Sequence, residues 1–383
     1  MMNIVTLPKI LLLIILFSSC TSKNPIENTR KIVSECSALV KNESTLGIAI
    51  GIEVDTMIST INEYGLSNYS TKEPLSTNAK FRIASITKPL TATAILQLVE
   101  SKHLSLNDNL LKFFPDYPNG EEITIYQLLS HTSGIPDWWE GGIPKNTPSD
   151  FPMCAQPHLY IEQMEIMSLF EPGTFYSYSN TGYVLLGEII EIVSMMKYEE
   201  YLNRNLFTVA DMQNTELEYI ENPKSDWVLG YTKKSNTNST FSDPDIYPMP
   251  YSAGGFRSTT KDLLLFLNAL ESGKLISKES FSKMTSYARV KNGNYTYESI
   301  FVHNGEKPRF PSNIKKFGYG LGFQIIENFG VKTISHGGDI AGFNSVLLFV
   351  PHNKVKMVIL SNTENGILPK LRKIEKLATS VEI

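Results

Sequence analysis

In the stretch FRIASITKPLTATAILQLVE, residues 81–100, a serine, Ser85, stands three residues before a lysine, Lys88. A serine hydroxyl attacks a carbonyl only when something takes its proton, and a lysine held away from water can lose its charge and do so. The spacing alone decides nothing, because Ser-x-x-Lys occurs five times, at Ser85, Ser194, Ser258, Ser280 and Ser312. Ser85 alone opens a helix that is otherwise apolar, with Pro89 in the first turn, where proline is tolerated. Residues i and i+3 share a helix face, and the helix start adds N–H donors and positive potential that favour an oxyanion. A plainer alternative, a serine N-cap followed by a surface lysine, fits the segment too.

Two further groups carry usable chemistry. Tyr178-Ser179-Asn180 lies in an aromatic loop after Pro172-Gly173 and just before an apolar helix; rival Tyr-x-Asn copies begin at Tyr117 and Tyr201. A phenol can relay a proton and an amide can hold a substrate carbonyl. His336-Gly337-Gly338, followed by Asp339, ends a strand-like run, and glycines there let a ligand approach backbone N–H groups. His131, in LLSHTSG, reads as a structural histidine at a helix C-terminus. The glycines Gly318, Gly320 and Gly322 lack the strand before and helix after that a dinucleotide loop requires.

These groups need elements to hold them. Strands are expected over residues 45–54, 57–65, 319–326, 332–338, 342–350 and 354–362, where β-type patterning dominates. Helices are expected over 26–39, 91–100, 124–134, 179–193, 259–273 and 367–377. Strands therefore sit at both chain ends with helices between. The economical fold is α/β of the α+β type: one antiparallel sheet built from both ends, flanked by helices, with a mostly helical lobe inserted. The sheet lobe takes about residues 41–90 and 312–383 and the helical lobe about 91–311. The loops 136–158 and 227–251 are placed at the rim of a cleft between the lobes.

The 383 residues are 42% hydrophobic and 19% charged with net charge −4, which suits a large globular core and gives no basic surface for nucleic acid. The six histidines show no metal-ligand spacing, so neither a metal nor another cofactor is expected. The N-terminus differs in kind: Lys9, then an apolar run over 10–17, then Ser18-Ser19-Cys20. That run is too short for a bilayer, which takes about 20 residues, and suits a signal peptide. Residues 1–19 are assigned to it and 20–40 to a linker with the first helix. The cysteine after the small residues resembles a bacterial lipobox, which implies lipidation of Cys20, export, and a membrane anchor in the cell envelope. Whether Cys36 and Cys154 pair is left open.

Taken in order, Ser85/Lys88, Tyr178/Asn180 and the His336 strand resemble the serine β-lactamase and penicillin-binding-protein superfamily, in its branch of class C β-lactamases, D-alanyl-D-alanine carboxypeptidases and family VIII esterases. LSLNDNLLKFFP, ITIYQLLSHTSGIPDW and SAGGFRSTTKDLLLFL are similar to the same branch. The resemblance spans about residues 46–362 and implies a β-lactamase-like hydrolase domain over 41–383. It implies Ser85 as the acylated nucleophile, Lys88 and Tyr178 as its proton partners, and Asn180, His336, Gly337, Gly338 and Asp339 as substrate-binding. The oxyanion hole would be the N–H groups of Ser85 and Asp339. Which of Lys88 and Tyr178 is the base is left open. Efficient class C enzymes have lysine and a hydroxyl residue where this chain has His336 and Gly337. The implied substrate is thus a D-Ala-D-Ala peptide or an ester rather than a rapidly turned-over β-lactam. A non-catalytic cell-wall binding or sensing protein is the alternative.

Overall fold

A computed structural model of the chain describes residues 24–55, 58–137, 168–218, 224–233, 241–242, 250–302 and 310–381. The signal segment, Cys20, Cys154 and most of the two rim loops lie outside them. No helix among the described residues is long and apolar enough to cross a membrane.

The strands in chain order are β1 (Gly47–Val54), β2 (Ile58–Asn68), β3 (Glu73–Pro74), β4 (Phe81–Arg82), β5 (Glu216–Leu217), β6 (Thr232–Lys233) and β7 (Phe241–Ser242). They continue with β8 (Phe256–Ser258), β9 (Ile314–Tyr319), β10 (Gln324–Asn328), β11 (Val331–Ile340), β12 (Phe343–Val350) and β13 (Val355–Ser361). The helices used below are α1 (Pro25–Lys41), α2 (Thr87–Glu100), α3 (Ile125–Leu129), α4 (Asn180–Ser194), α5 (Tyr251–Gly254), α6 (Thr260–Ser272), α7 (Lys278–Met284) and α8 (Leu368–Thr379).

Both chain ends build one eight-stranded sheet, ordered β3-β2-β1-β13-β12-β11-β10-β9. The seam is the antiparallel pair β1 and β13, in register from Ile48 opposite Ser361 to Val54 opposite Val355. Period-two alternation sends Ile48, Ile50 and Ile52, with Met357 and Ile359, to one face under α1 and α8. Ala49, Val358 and Leu360 face the other way, into the larger core with α2, α4 and α6. Gly51 permits that packing, since a Cβ there would lie 2.7 Å from a Leu264 methyl. Local signals set the helix ends: Asn24 caps α1 with Pro25 following, Thr259 caps α6, and left-handed Gly273 stops it. Cys36 is a free thiol on the buried face of α1.

Three differences from the sequence reading have physical causes. The helix expected over 124–134 is only α3, because the chain turns left-handed at His131, φ 58°. The strand expected over 319–326 is two strands, β9 and β10, joined by a turn at Gly320–Gly322. Gly322 has φ 97°, and a Cβ on Gly320 would meet the Met284 carbonyl oxygen at 2.3 Å. Phe81–Arg82, where no strand was expected, pairs with β8 in a small three-stranded sheet, β4-β8-β5.

Candidate active site

Ser85 sits in a short 3₁₀ turn, Ala84–Ile86, that runs directly into α2. Ala84 before it has φ 47°, a strained value for a residue with a Cβ. The turn is held against β11. Ser345 Oγ lies 3.1 Å from both the Ile83 and the Gly338 carbonyl oxygens, which share its one hydrogen. Gly338 is needed there, because a Cβ would lie 2.2 Å from the Ile83 oxygen and from Ser345 Oγ. A Cβ on Gly337 would meet nothing closer than 4.0 Å. The backbone of β11 thus runs beside the serine turn, approaching it closely at Gly338 and less so at Gly337.

Lys88 lies one helical turn on, fully buried. Its Nζ is 2.6 Å from Asn180 Oδ1, 2.7 Å from the Ala253 carbonyl oxygen and 3.1 Å from Ser85 Oγ. Burial pushes its pKa down to about 7, with Asp137 opposing the fall. An uncharged amine has two hydrogens and one lone pair. The Asn180 and Ala253 oxygens can only accept, so they take both hydrogens, and the lone pair is left for the Ser85 hydroxyl. That is the arrangement of a base.

The other side of Ser85 belongs to Tyr178, whose phenol is hydrogen-bonded to it. Burial holds that phenol well above the ordinary tyrosine range, so it stays protonated and can donate. Lys88 Nζ lies 4.7 Å from the Tyr178 ring centre, where a protonated lysine gains some cation–π stabilisation. Asn180 is oriented by Asp137, whose Oδ2 accepts from its amide nitrogen at 2.8 Å and its backbone N–H at 3.2 Å. Its amide thereby bridges Asp137 and the lysine beside Ser85.

The His336 ring is 1% exposed and both its nitrogens are used. Nδ1 donates to the Gly337 carbonyl at 2.7 Å, which leaves Nε2 to accept from the Tyr319 hydroxyl at 2.9 Å. Burial and the nearby Lys88 lower its pKa to about 3, so it is neutral at any physiological pH. It has neither a free nitrogen nor a charge to give a substrate carboxylate. Asp339 is exposed at the end of β11, and its Oδ1 accepts from Asn344 Nδ2 at 2.5 Å. Although the residue as a whole is exposed, its carboxyl is turned against the protein, and that partial desolvation raises its pKa while the Asn344 hydrogen bond opposes the rise.

Sequence reasoning brought Ser85, Lys88, Tyr178, Asn180 and the β11 glycines into one place. It missed Asp137, Tyr319, Ser345 and the Ala253 carbonyl. A backbone carbonyl leaves no mark in a sequence, whereas Asp137 stood in the quoted stretch ending GIPDW. Among the described residues no group of histidine, cysteine and carboxylate side chains could hold a metal ion.

A family model described as Beta-lactamase matches residues 32–378. The chain belongs to that family. It is 30% identical over 322 residues to penicillin-binding protein 4* of Bacillus subtilis (strain 168), covering 79% of this chain and 65% of that protein. It is 28% identical over 330 residues to protein flp of Staphylococcus aureus (strain N315), covering 83% of this chain and 59% of the other. The chain thus spans less than two thirds of either relative. Among solved structures, the octameric penicillin-binding protein homologue from Pyrococcus abyssi superposes with TM-score 0.74 at 28% identity, over 91% of this chain and 76% of that one. A D-amino acid amidase from Ochrobactrum anthropi SV3 shares the fold, with TM-score 0.74 at 21% identity over 92% of this chain and 98% of that one.

Proposed function

We propose that the protein is a serine hydrolase that acylates Ser85 with an amide or ester and releases the acyl group to water. The observation that carries this reading is the caged lysine, whose two hydrogens are occupied and whose lone pair faces the serine. In acylation, Ser85 Oγ gives its proton to Lys88 Nζ and bonds to the carbonyl carbon. The N–H groups of Ser85 and Asp339 receive the oxyanion. The tetrahedral adduct collapses as the bond to the leaving nitrogen or oxygen breaks, and that atom takes a proton from the Tyr178 phenol, which regains one from Lys88. Water then attacks the acyl-serine by the reverse route. Lys88 is the base in this scheme and Tyr178, kept protonated by burial, the carrier.

The substrate favoured is a small amide or ester of the D-Ala-D-Ala peptide type rather than an efficiently hydrolysed β-lactam. A neutral, buried His336 puts no cation at that position of β11 for the carboxylate that β-lactams carry. The protein is further proposed to be exported and anchored in the cell envelope through a lipid on Cys20. The hydrophobic N-terminal run supports this, and a Cys20→Ala variant should leave the membrane fraction. Labelling with a fluorophosphonate and with a fluorescent penicillin tests the hydrolase, read beside Ser85→Ala and a panel of p-nitrophenyl esters, nitrocefin and D-Ala-D-Ala peptides. Ser85-dependent labelling with ester or peptide turnover is expected. Labelling that survives Ser85→Ala, or none at all with every substrate intact, would leave a binding or sensing protein instead.

A further inference from the structure

His131 has no place in the scheme above, yet it is almost fully buried and touches the catalytic tyrosine. The left-handed turn at the end of α3 aims its ring at the segment before α4. Its carbonyl accepts from Ser177 N–H at 2.9 Å, and its Nδ1 accepts from Ser179 N–H at 3.1 Å. One residue therefore grips the chain on both sides of Tyr178. The rings of His131 and Tyr178 are 4.3 Å apart between centres, tilted by 37°. Tyr319, Tyr183 and Tyr176 close the rest of the ring's surroundings at 4.5, 5.0 and 6.2 Å.

The bond from Ser179 fixes the histidine's chemistry. Nδ1 accepts, so it carries no hydrogen, and the neutral ring must hold its proton on Nε2. Nε2 has no hydrogen-bond partner and is enclosed by aromatic rings. Burial, and Lys88 whenever it carries its proton, keep the ring from gaining a second proton. A protonated Nδ1 would point a hydrogen at the Ser179 N–H and release the grip.

We propose that His131 is a positioning residue for Tyr178: as the Nε2–H tautomer it clamps residues 177 and 179 and stacks on the phenol ring, aiming the hydroxyl at Ser85. This rests on the reading of Ser85 and Tyr178 given above. It goes beyond that reading in giving a buried histidine, with no contact to substrate, control over the proton carrier. Because the clamp acts on Tyr178 and not on a binding group, its loss should appear in kcat and not in KM.

The test compares six purified proteins: wild type, His131→Phe, His131→Asn, Ser85→Ala, Tyr178→Phe and the Tyr178→Phe/His131→Phe double variant. Phenylalanine keeps a ring of similar size but cannot accept from Ser179. Asparagine tolerates the left-handed backbone and can present Oδ1 where Nδ1 stood. With a p-nitrophenyl ester, His131→Phe should lose about 10- to 100-fold in kcat with KM changed less than about threefold, and fluorophosphonate labelling should slow in parallel. His131→Asn should recover to within about fivefold of wild type. In a Tyr178→Phe background, His131→Phe should add less than about twofold, since it acts through the missing phenol. Full kcat in His131→Phe overturns the proposal. So do equal losses in the Phe and Asn variants that track their melting temperatures, or losses that multiply in the Tyr178→Phe background. If wild type is not labelled at Ser85, the hydrolase reading falls and takes the proposal with it. If wild type is labelled at Ser85 and His131→Phe labels as fast, only the proposal falls.

Discussion

The rate at which Ser85 is acylated should follow the protonation of Lys88, and the structure sets the pH at which it does so. Burial lowers the lysine's pKa to about 7. The lone pair that accepts the serine proton is then present in about one molecule in ten at pH 6, one in two at pH 7 and nine in ten at pH 8. With an uncharged p-nitrophenyl ester, kcat/KM should rise about tenfold from pH 6 to pH 8 with a single midpoint near 7. The neighbouring groups do not blur the step. His336 titrates near 3, His131 well below 6.5, and Tyr178, Tyr183, Tyr176 and Tyr319 all above 10. The same shift acts on stability. Between pH 7 and 10.5 the unfolded lysine holds a proton that the folded one has released, so folding becomes more favourable as pH rises through that window. The full effect is about 5 kcal/mol over the window. Lys88→Met should abolish turnover and remove this pH dependence. Its stability near pH 7 should match or exceed that of wild type, because the relief from burying an amine offsets the hydrogen bonds lost at Asn180 and Ala253. A flat rate profile between pH 6 and 8, or a midpoint near 10, would refute the account of a neutral lysine base.

Other outcomes follow from the same contacts. Gly338→Ala should cost about 1–3 kcal/mol and lower labelling of Ser85, whereas Gly337→Ala should melt within about 0.5 kcal/mol of wild type; thermal melts of the two variants decide it. Tyr319→Phe removes the hydroxyl that donates to His336 Nε2, and leaving that buried nitrogen without it should cost about 1–3 kcal/mol in a denaturant melt. Glu218 accepts from both Arg82, at 2.7 and 2.8 Å, and Arg257, at 2.8 and 3.3 Å, between β4 and β8. Burial pushes its carboxyl up, but the two arginines together bring it below the ordinary value, so its stabilisation is present above about pH 4.5 and is lost as pH falls through the lowered pKa. Glu218→Gln should cost about 3–5 kcal/mol at pH 7 by leaving two cations short of a partner, and its stability should vary less than wild type's below pH 5.

The sheet was legible because β1, β12 and β13 are apolar β-type runs and because strand signals stood at both chain ends. The β9–β10 turn was not, since Tyr319 to Ile326 keeps strand-like residues through Gly320 and Gly322; only the crowding against α7 shows why the chain must turn. Ser85, Lys88, Tyr178 and Asn180 were found by type and order. The cage around Lys88 was hidden, because one wall is a main-chain oxygen and another is an asparagine aimed by Asp137 from a separate loop. His336 lies within β11, with its ring buried and bonded to Tyr319. Its neighbour across the site, Tyr319, engages the ring from a different strand, and no local pattern reports such a contact.

The central claim, that Ser85 is the atom acylated, is tested most directly by trapping the acyl-enzyme at pH 8 and mapping the added mass by peptide mass spectrometry. The account predicts one adduct, of the acyl group's mass, on the peptide that contains Ser85, and none in Ser85→Ala. An adduct on another residue, or ester hydrolysis undiminished in Ser85→Ala, would contradict it.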